Sequence, residues 1–385
     1  MQTDGIVILA GIDWNFLKQR PQHLAEGFAR RRLPVLFLEN TGVRMPKMRD
    51  LPRMWQRLRR NTTAVRGEEA AAGVEVCSPL AIPFPYNPVA NAYNLRYLRG
   101  KVHKFLQGNA LQPQRVALIS YLATPLAMGI AEAFPWKRVL YDVLSDPKLV
   151  EPCLGPFEAD FLRRADWTLF TSATLMEEYG DSPQRGRLFR DGCNWELFEA
   201  EGVAAQDLAG LPRPRFLYLG GINRKLWPEP LVALADGNAT GSVVLVGPVA
   251  LGEMHMPARP NLYVLPPRLR YEDLAGLLAN ADAALIPYRS DRYAGAMHPA
   301  KLNEYLVFGL PVVAMRTREL GRLAETWDVP VLYLADTPED FVAAAARAVA
   351  EDTPALREAR RSFARRNTWD KRVEELLELL EEAED

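Results

Sequence analysis

Apolar positions along the chain fall into short β-branched and aliphatic runs. In the first half these are IVILA (6–10), PVLFLE (34–39), VEVCS (74–78), VALIS (116–120), VLYDV (139–143) and WTLFT (167–171). In the second half they are RFLYLG (215–220), SVVLVG (242–247), NLYVL (261–265), AALIP (283–287), PVVAM (311–315) and VPVLYL (329–334). Several are apolar without alternation, which is the pattern of strands buried on both faces of a parallel sheet. Segments with helical spacing, such as 20–31, 271–281, 299–308 and 337–350, lie between them. Strand–helix alternation sustained over this length predicts a doubly wound α/β fold.

The series restarts near residue 214, after EGVAAQDLAGLPRPR (201–215), which is rich in small residues, glycine and proline. That composition suits an interdomain linker. The expected division is an N-terminal Rossmann-like domain over 1–205, a linker over 206–214, a C-terminal Rossmann-like domain over 215–365 and a final helix over 366–385. The last segment is acidic and amphipathic, and it is expected to pack its Val373, Leu376, Leu377 and Leu380 stripe back on the N-terminal domain.

A chain of 385 residues is too long for one ordinary core and suits two. A formal net charge of −1 argues against nucleic acid as a partner recognised by overall charge. Cys77, Cys153 and Cys193 are scattered, and the histidines form no ligand spacing, so neither a disulfide framework nor a zinc site is expected. The opening MQTDGIVILAGIDW lacks a basic region ahead of its apolar run, and no run reaches the ~20 apolar residues of a membrane span. A cytoplasmic protein is expected. One segment qualifies that picture. RMPKMRDLPRMWQRLRR (44–60) sets seven basic residues against Asp50, with Met48, Leu51, Trp55 and Leu58 at helical spacing. Such a segment either contacts an anionic membrane surface, which would place the protein on the inner face of the membrane, or packs its stripe on the domain.

The densest chemistry lies in HPAKLNEYLVFGLPVVA (298–314). Pro299 suits the first position of a helix, where a missing N–H costs nothing. The free N–H groups that follow favour an anion, and Lys301 adds a full charge. Glu304 falls on the same face three residues later, where a carboxylate can take both hydroxyls of a ribose. Phosphate at the helix tip and ribose one turn on describe a nucleoside diphosphate. The plainer reading is an exposed Lys–Glu pair, which would contribute only ~0.2–0.5 kcal/mol. The chain contains no G-x-G-x-x-G and no G-x-x-x-x-G-K-[ST] that would offer a rival nucleotide site.

This stretch resembles the donor-binding signature of GT-B glycosyltransferases, especially relatives of glycosyltransferase family 4. FLYLGGINRK, VVLVGP, YEDLAGLLANADAALIPY, LYDVLSD and WTLFTSATLMEEY agree with it, as does DWNFLKQRPQHLAEGFARR near the start. The resemblance implies two Rossmann-like domains facing across a cleft, with the nucleotide-sugar on the C-terminal domain and the acceptor on the N-terminal one. It implies transfer of a sugar to a hydroxyl of a glycan or lipid-linked acceptor, in polysaccharide or cell-envelope synthesis. It also implies no cofactor and no bound metal, since protein cations replace the metal. The family pattern has two glutamates eight positions apart. Glu304 matches the second, and Ala296 stands where the first would be.

Other positions are expected to share the work. Gly220 and Gly221 allow close backbone approach, and Gly221, Arg224 and Lys225 are expected at the diphosphate, whose charge grows as it leaves. His298 is expected at the phosphate or the sugar, or as a simple cap. His23, at a helix start, and Asp146, just past a strand, are candidates for catalysis, Asp146 as a general base. Asp142, nearer the strand, reads as structural. Two other functions fit the same fold: a nucleotide-sugar epimerase and a non-catalytic nucleotide-sugar-binding partner, the latter favoured by Ala296.

Overall fold

A computed structural model describes residues 2–382 apart from 16, 40–71, 80, 83, 150–153, 184, 199–207, 209, 250–255 and 269–272. The basic segment 44–60 therefore lies outside the described residues. The chain forms two compact units. The first comprises 1–171, 175–189 and 372–385, and the second 172–174 and 190–371.

The first unit is built on a parallel sheet of β1 (Gly5–Leu9), β2 (Val35–Leu38), β3 (Val74–Cys77), β4 (Val116–Ser120), β5 (Arg138–Val143), β6 (Trp167–Phe170) and β7 (Gly186–Leu188), ordered β3-β2-β1-β4-β5-β6-β7. The second is a parallel sheet of β8 (Arg215–Leu219), β9 (Ser242–Val246), β10 (Leu262–Leu265), β11 (Ala283–Ile286), β12 (Val312–Met315) and β13 (Leu332–Ala335), ordered β10-β9-β8-β11-β12-β13. Central strands β1, β4, β8 and β9 are buried throughout, while β3, β7 and β10 are half-covered. The apolar runs thus mark strands covered by helices on both faces. Only β7 was not legible in advance, because three partly exposed residues carry no periodic signal.

Each sheet reverses its order once, between β1 and β4 and between β8 and β11. Connections leave such a point in opposite directions, which opens a crevice beyond the carboxyl ends of the two strands. The residues with candidate chemistry follow these strands or their neighbours.

The helix Trp369–Glu381 closes the first unit. It buries Val373, Leu376, Leu379 and Leu380, so Leu379 takes the place expected of Leu377, which is only half-covered. Gly27 permits this approach, because a Cβ there would sit 2.5 Å from Val373 Cγ2. Near the helix end the Glu381 carboxylate accepts from the Thr3 backbone N–H at 2.8 Å and from Lys137 Nζ at 2.6 Å.

Candidate functional site

The second unit gathers its chemistry at the β8/β11 reversal. After β8 the chain turns through Gly220 and Gly221 into Arg224 and Lys225. After β11 it runs through Tyr288, and the two segments are stitched together. Trp227 N–H donates to the Pro287 carbonyl at 2.8 Å, and Arg289 N–H donates to the Lys225 carbonyl at 2.9 Å. The helix Lys301–Val307 is pinned across both strands by Tyr305, whose hydroxyl accepts from Leu219 N–H at 3.0 Å and donates to the Leu285 carbonyl at 3.4 Å.

That helix starts two residues later than its sequence suggests. Ala300 is the cap and Lys301 the first helical residue; Pro299 stands outside, its carbonyl accepting from Leu302 N–H at 2.9 Å. A tight i→i+3 turn replaces the proline-started helix. With only seven residues, the helix contributes less as a dipole than as a platform that carries Lys301 and Glu304.

Lys301 is the centre of the site. Its ammonium donates to the Tyr288 hydroxyl at 2.7 Å and, more distantly, to the Tyr218 hydroxyl at 3.4 Å. It also lies 4.5 Å from the Tyr218 ring centroid and 5.2 Å from that of Tyr288. Cation–π attraction reinforces the two polar contacts. Burial lowers the Lys301 pKa to about 8, against the opposing pull of Glu304. Lys225 is also held below the usual lysine value: the Tyr288 hydroxyl raises it, but burial and the Lys301 charge outweigh that. Arg224 lies exposed, with its guanidinium 4.1 Å from the Tyr293 ring centroid.

The glycine turn is shaped around Lys301. Gly220 has φ +129, and a Cβ there would lie 2.8 Å from the Lys301 ammonium. The Gly221 carbonyl accepts from Tyr218 Oη at 2.9 Å. Gly247, after β9, supports the turn from below, since a Cβ on it would come within 2.0 Å of the Gly220 carbonyl oxygen. His298 is buried just ahead of the Lys301 helix. Ala296 is buried too, and its carbonyl accepts from Ser172 Oγ. Gly221, Arg224, Lys225, His298, Lys301 and Glu304 thus all lie on segments that follow β8 or β11.

In the first unit, His23 lies in the helix Arg20–Arg30, two turns of chain after β1. It is buried, and burial, followed by the charges of Lys18 and Arg30, holds its pKa well below the usual histidine range, so it is neutral at neutral pH. Asp146, past β5, is buried and accepts from Lys148 N–H at 2.9 Å. Between them lies a pair that sequence reasoning did not assign. The buried Arg20 guanidinium donates to Asp142 Oδ1 at 2.8 Å and to Thr171 Oγ1 at 2.9 Å, and stacks 5.2 Å from the Phe189 ring centroid. Asp142 is therefore the fixed partner of Arg20. Buried Glu158 accepts from the Tyr141 and Tyr179 hydroxyls, with Lys148 Nζ 3.5 Å away. Beyond β1 and β2 lies a small apolar pocket, with room for about one water molecule, lined by Leu9, Leu38, Leu98, Leu122 and Leu126, with Glu39 among them. Among the described residues, no group of three metal-ligating side chains clusters, and no helix is long and apolar enough to cross a membrane.

No family model matches the chain. It is 25% identical over 265 residues to a Bacillus subtilis (strain 168) protein named "Putative teichuronic acid biosynthesis glycosyltransferase TuaH", a match covering 62% of this chain. The chain spans 66% of the length of that relative. Among solved structures it is similar to Anabaena HepE in complex with UDP and glucose, with a TM-score of 0.69 at 13% identity, covering 98% of this chain and 99% of that one. Sucrose-phosphate synthase from Thermosynechococcus elongatus gives a TM-score of 0.67 at 16% identity, covering 98% of each chain. WaaG, a glycosyltransferase of lipopolysaccharide biosynthesis, gives 0.64 at 12% identity, covering 98% of this chain and all of that one. The chain therefore has the GT-B fold, with two Rossmann-like units.

Proposed function

We propose that this protein is a glycosyltransferase that moves a sugar from a nucleoside-diphosphate donor to a hydroxyl of a glycan or lipid-linked acceptor, in polysaccharide or cell-envelope synthesis. The observation that carries the reading is the meeting of Lys301 and Lys225 with a tight glycine turn at the order reversal of the second sheet. In open α/β sheets that is where ligands bind, and paired cations beside exposed backbone suit a diphosphate. The reading also draws support from the similarity to TuaH and to HepE in complex with UDP and glucose.

On this reading Lys301, Lys225, Arg224 and the Gly221 backbone hold the diphosphate, Glu304 holds the ribose and His298 stands beside the phosphate or the sugar. As the sugar–oxygen bond breaks, charge accumulates on the departing diphosphate. Cations already fixed there stabilise that charge without reorganisation. The same cations do the work a metal ion does elsewhere, so the reaction is proposed to need none. On the first unit, Asp146 or the neutral His23 takes the acceptor's proton. The basic segment 44–60 suits an anionic membrane surface.

A thermal-shift screen of nucleoside diphosphates, followed by release of the diphosphate from matching nucleotide-sugars, tests this. A ligand at 100 times its Kd adds ~2.7 kcal/mol of stability. Absence of any nucleotide response would remove the donor site. A response without transfer or hydrolysis would favour the non-catalytic binding partner, the reading that Ala296 supports.

A further inference from the structure

The nucleotide reading places Lys301 at the diphosphate but leaves unexplained why its ammonium lies against two tyrosine hydroxyls rather than in water. Neither tyrosine belongs to the signature stretch. Tyr218 comes from β8 and Tyr288 follows β11, so the reversal of the sheet is what brings them together. Both are buried, Tyr218 at 0% and Tyr288 at 3% exposure. Both hydroxyls accept from the Lys301 ammonium, and Tyr218 in turn donates to the Gly221 carbonyl. A polar chain therefore runs from Tyr288 through the Lys301 ammonium and Tyr218 to the glycine turn.

We propose that Tyr288 and Tyr218 are positioning residues: Tyr288 holds the Lys301 ammonium in its charged form at the donor site, and Tyr218 ties that ammonium to the Gly220–Gly221 turn, so that the strength of nucleotide binding follows the protonation of Lys301. The proposal rests on the nucleotide reading above and deepens it.

The physical argument is a balance. Burial opposes the charge of Lys301, and a neutral hydroxyl that accepts a hydrogen bond from the ammonium supports it. The groups that face the ammonium are Tyr218 from β8, Lys225 from the turn after β8, Tyr288 from the segment after β11 and Glu304 from its own helix. Lys225 opposes the charge and Glu304 supports it. With a pKa of about 8, Lys301 is charged at neutral pH and loses its proton within reach of mild alkali. Phenylalanine at 288 would keep the ring and remove the acceptor, so the charged form would become harder to maintain.

The test is calorimetric titration with UDP between about pH 7 and 9, above the ~6 at which a terminal phosphate loses its last proton. For the natural protein, affinity should hold near neutrality and then fall, by about tenfold one pH unit above the Lys301 pKa, as the charged fraction falls. In Tyr288→Phe the fall should begin about one pH unit lower, because a hydrogen bond to a charged group is worth at least that much. In Lys301→Arg no fall should occur, since a guanidinium stays charged throughout this pH range. Tyr218→Phe should weaken UDP at every pH and move the midpoint less than Tyr288→Phe does, because its contact with the ammonium is 3.4 Å against 2.7 Å.

A flat profile in the natural protein would overturn the proposal. So would a Tyr288→Phe profile that superimposes on it, or a midpoint moved further by Tyr218→Phe than by Tyr288→Phe. A fall that persists in Lys301→Arg and vanishes in Lys225→Arg would assign the titration to Lys225 and overturn it too. If UDP and the other nucleoside diphosphates fail to bind the natural protein at any pH, the nucleotide reading itself fails, an outcome distinct from binding with an unmoved profile.

Discussion

The two sheets share one design, a parallel stack with a single reversal of strand order, yet their carboxyl ends treat charge in opposite ways. In the first unit several buried groups are matched on site or kept neutral. Arg20 is locked to Asp142, Glu158 is ringed by Tyr141, Tyr179 and Lys148, and His23 is kept neutral. In the second, Arg224, Lys225 and Lys301 lie on neighbouring segments with Glu304 beside them; burial holds both lysines down, and the Lys301 charge lowers Lys225 further. Charges matched within the fold hold it together. A surplus of one sign raises the energy of the empty protein and waits for a partner of the other sign. The contrast separates structural ions from binding ions by their bookkeeping alone, and it points to an anionic ligand on the second unit and a less charged one on the first.

The sharpest way to break the comparison is to remove one cation from each unit. Arg20→Ala leaves Asp142 buried beside an empty space, and loss of one partner of a buried pair should destabilise the protein by ~3–5 kcal/mol in urea denaturation. Lys301→Met should do the reverse. It removes a cation whose burial is unfavourable, so the urea midpoint should stay or rise, while UDP affinity falls by about 10–100-fold on loss of ~1.5–3 kcal/mol of charge-assisted bonding. If Lys301→Met unfolds the protein as Arg20→Ala does, the distinction between the two kinds of ion is lost.

Smaller effects sharpen the picture within the second unit. Glu304→Gln should weaken UDP by about tenfold, roughly the ~1 kcal/mol of a lost hydrogen bond or a little more, and should weaken 2′-deoxy-UDP less. Equal losses on both ligands, read by calorimetry, would take Glu304 off the ribose. The smallest change is expected at Arg224, which is exposed. Arg224→Gln should cost ~0.5 kcal/mol, and the difference should vanish at 1 M salt, where the Debye length is ~3 Å. Transfer activity should persist in EDTA; its loss on chelation and return with Mg²⁺ or Mn²⁺ would show that the lysines do not replace a metal.

The fold was legible because burial on two faces writes itself into composition: uninterrupted runs such as VALIS and SVVLV are hard to read as anything but central strands. Lys301, Glu304 and the Gly220–Gly221 turn were legible because their spacing is local. Tyr218 and Tyr288 were not. Seventy residues of chain separate them, each sits in or beside an apolar strand, and a tyrosine there reads as core. Only the β8–β11 pairing turns two core residues into one pair of hydroxyls. Arg20 was missed for the same reason, since its partner Asp142 is 122 residues away. The start of the 301–307 helix was misjudged locally: a proline can open a helix or precede a tight turn, and the sequence does not say which.

The closing helix carries a consequence for how this protein is made. Val373, Leu376, Leu379 and Leu380 complete the core of the unit that contains the first strand, and Glu381 reaches back to Thr3. Domains ordinarily fold in the order in which the ribosome delivers them, at ~5–20 residues per second. Here the unit begun first is finished last. For the time it takes to translate the whole second unit, the face around Gly27 stays uncovered on the nascent chain. A stop codon before Val373 should therefore leave a protein whose second unit is intact and whose first unit is the one that chaperones and proteases recognise.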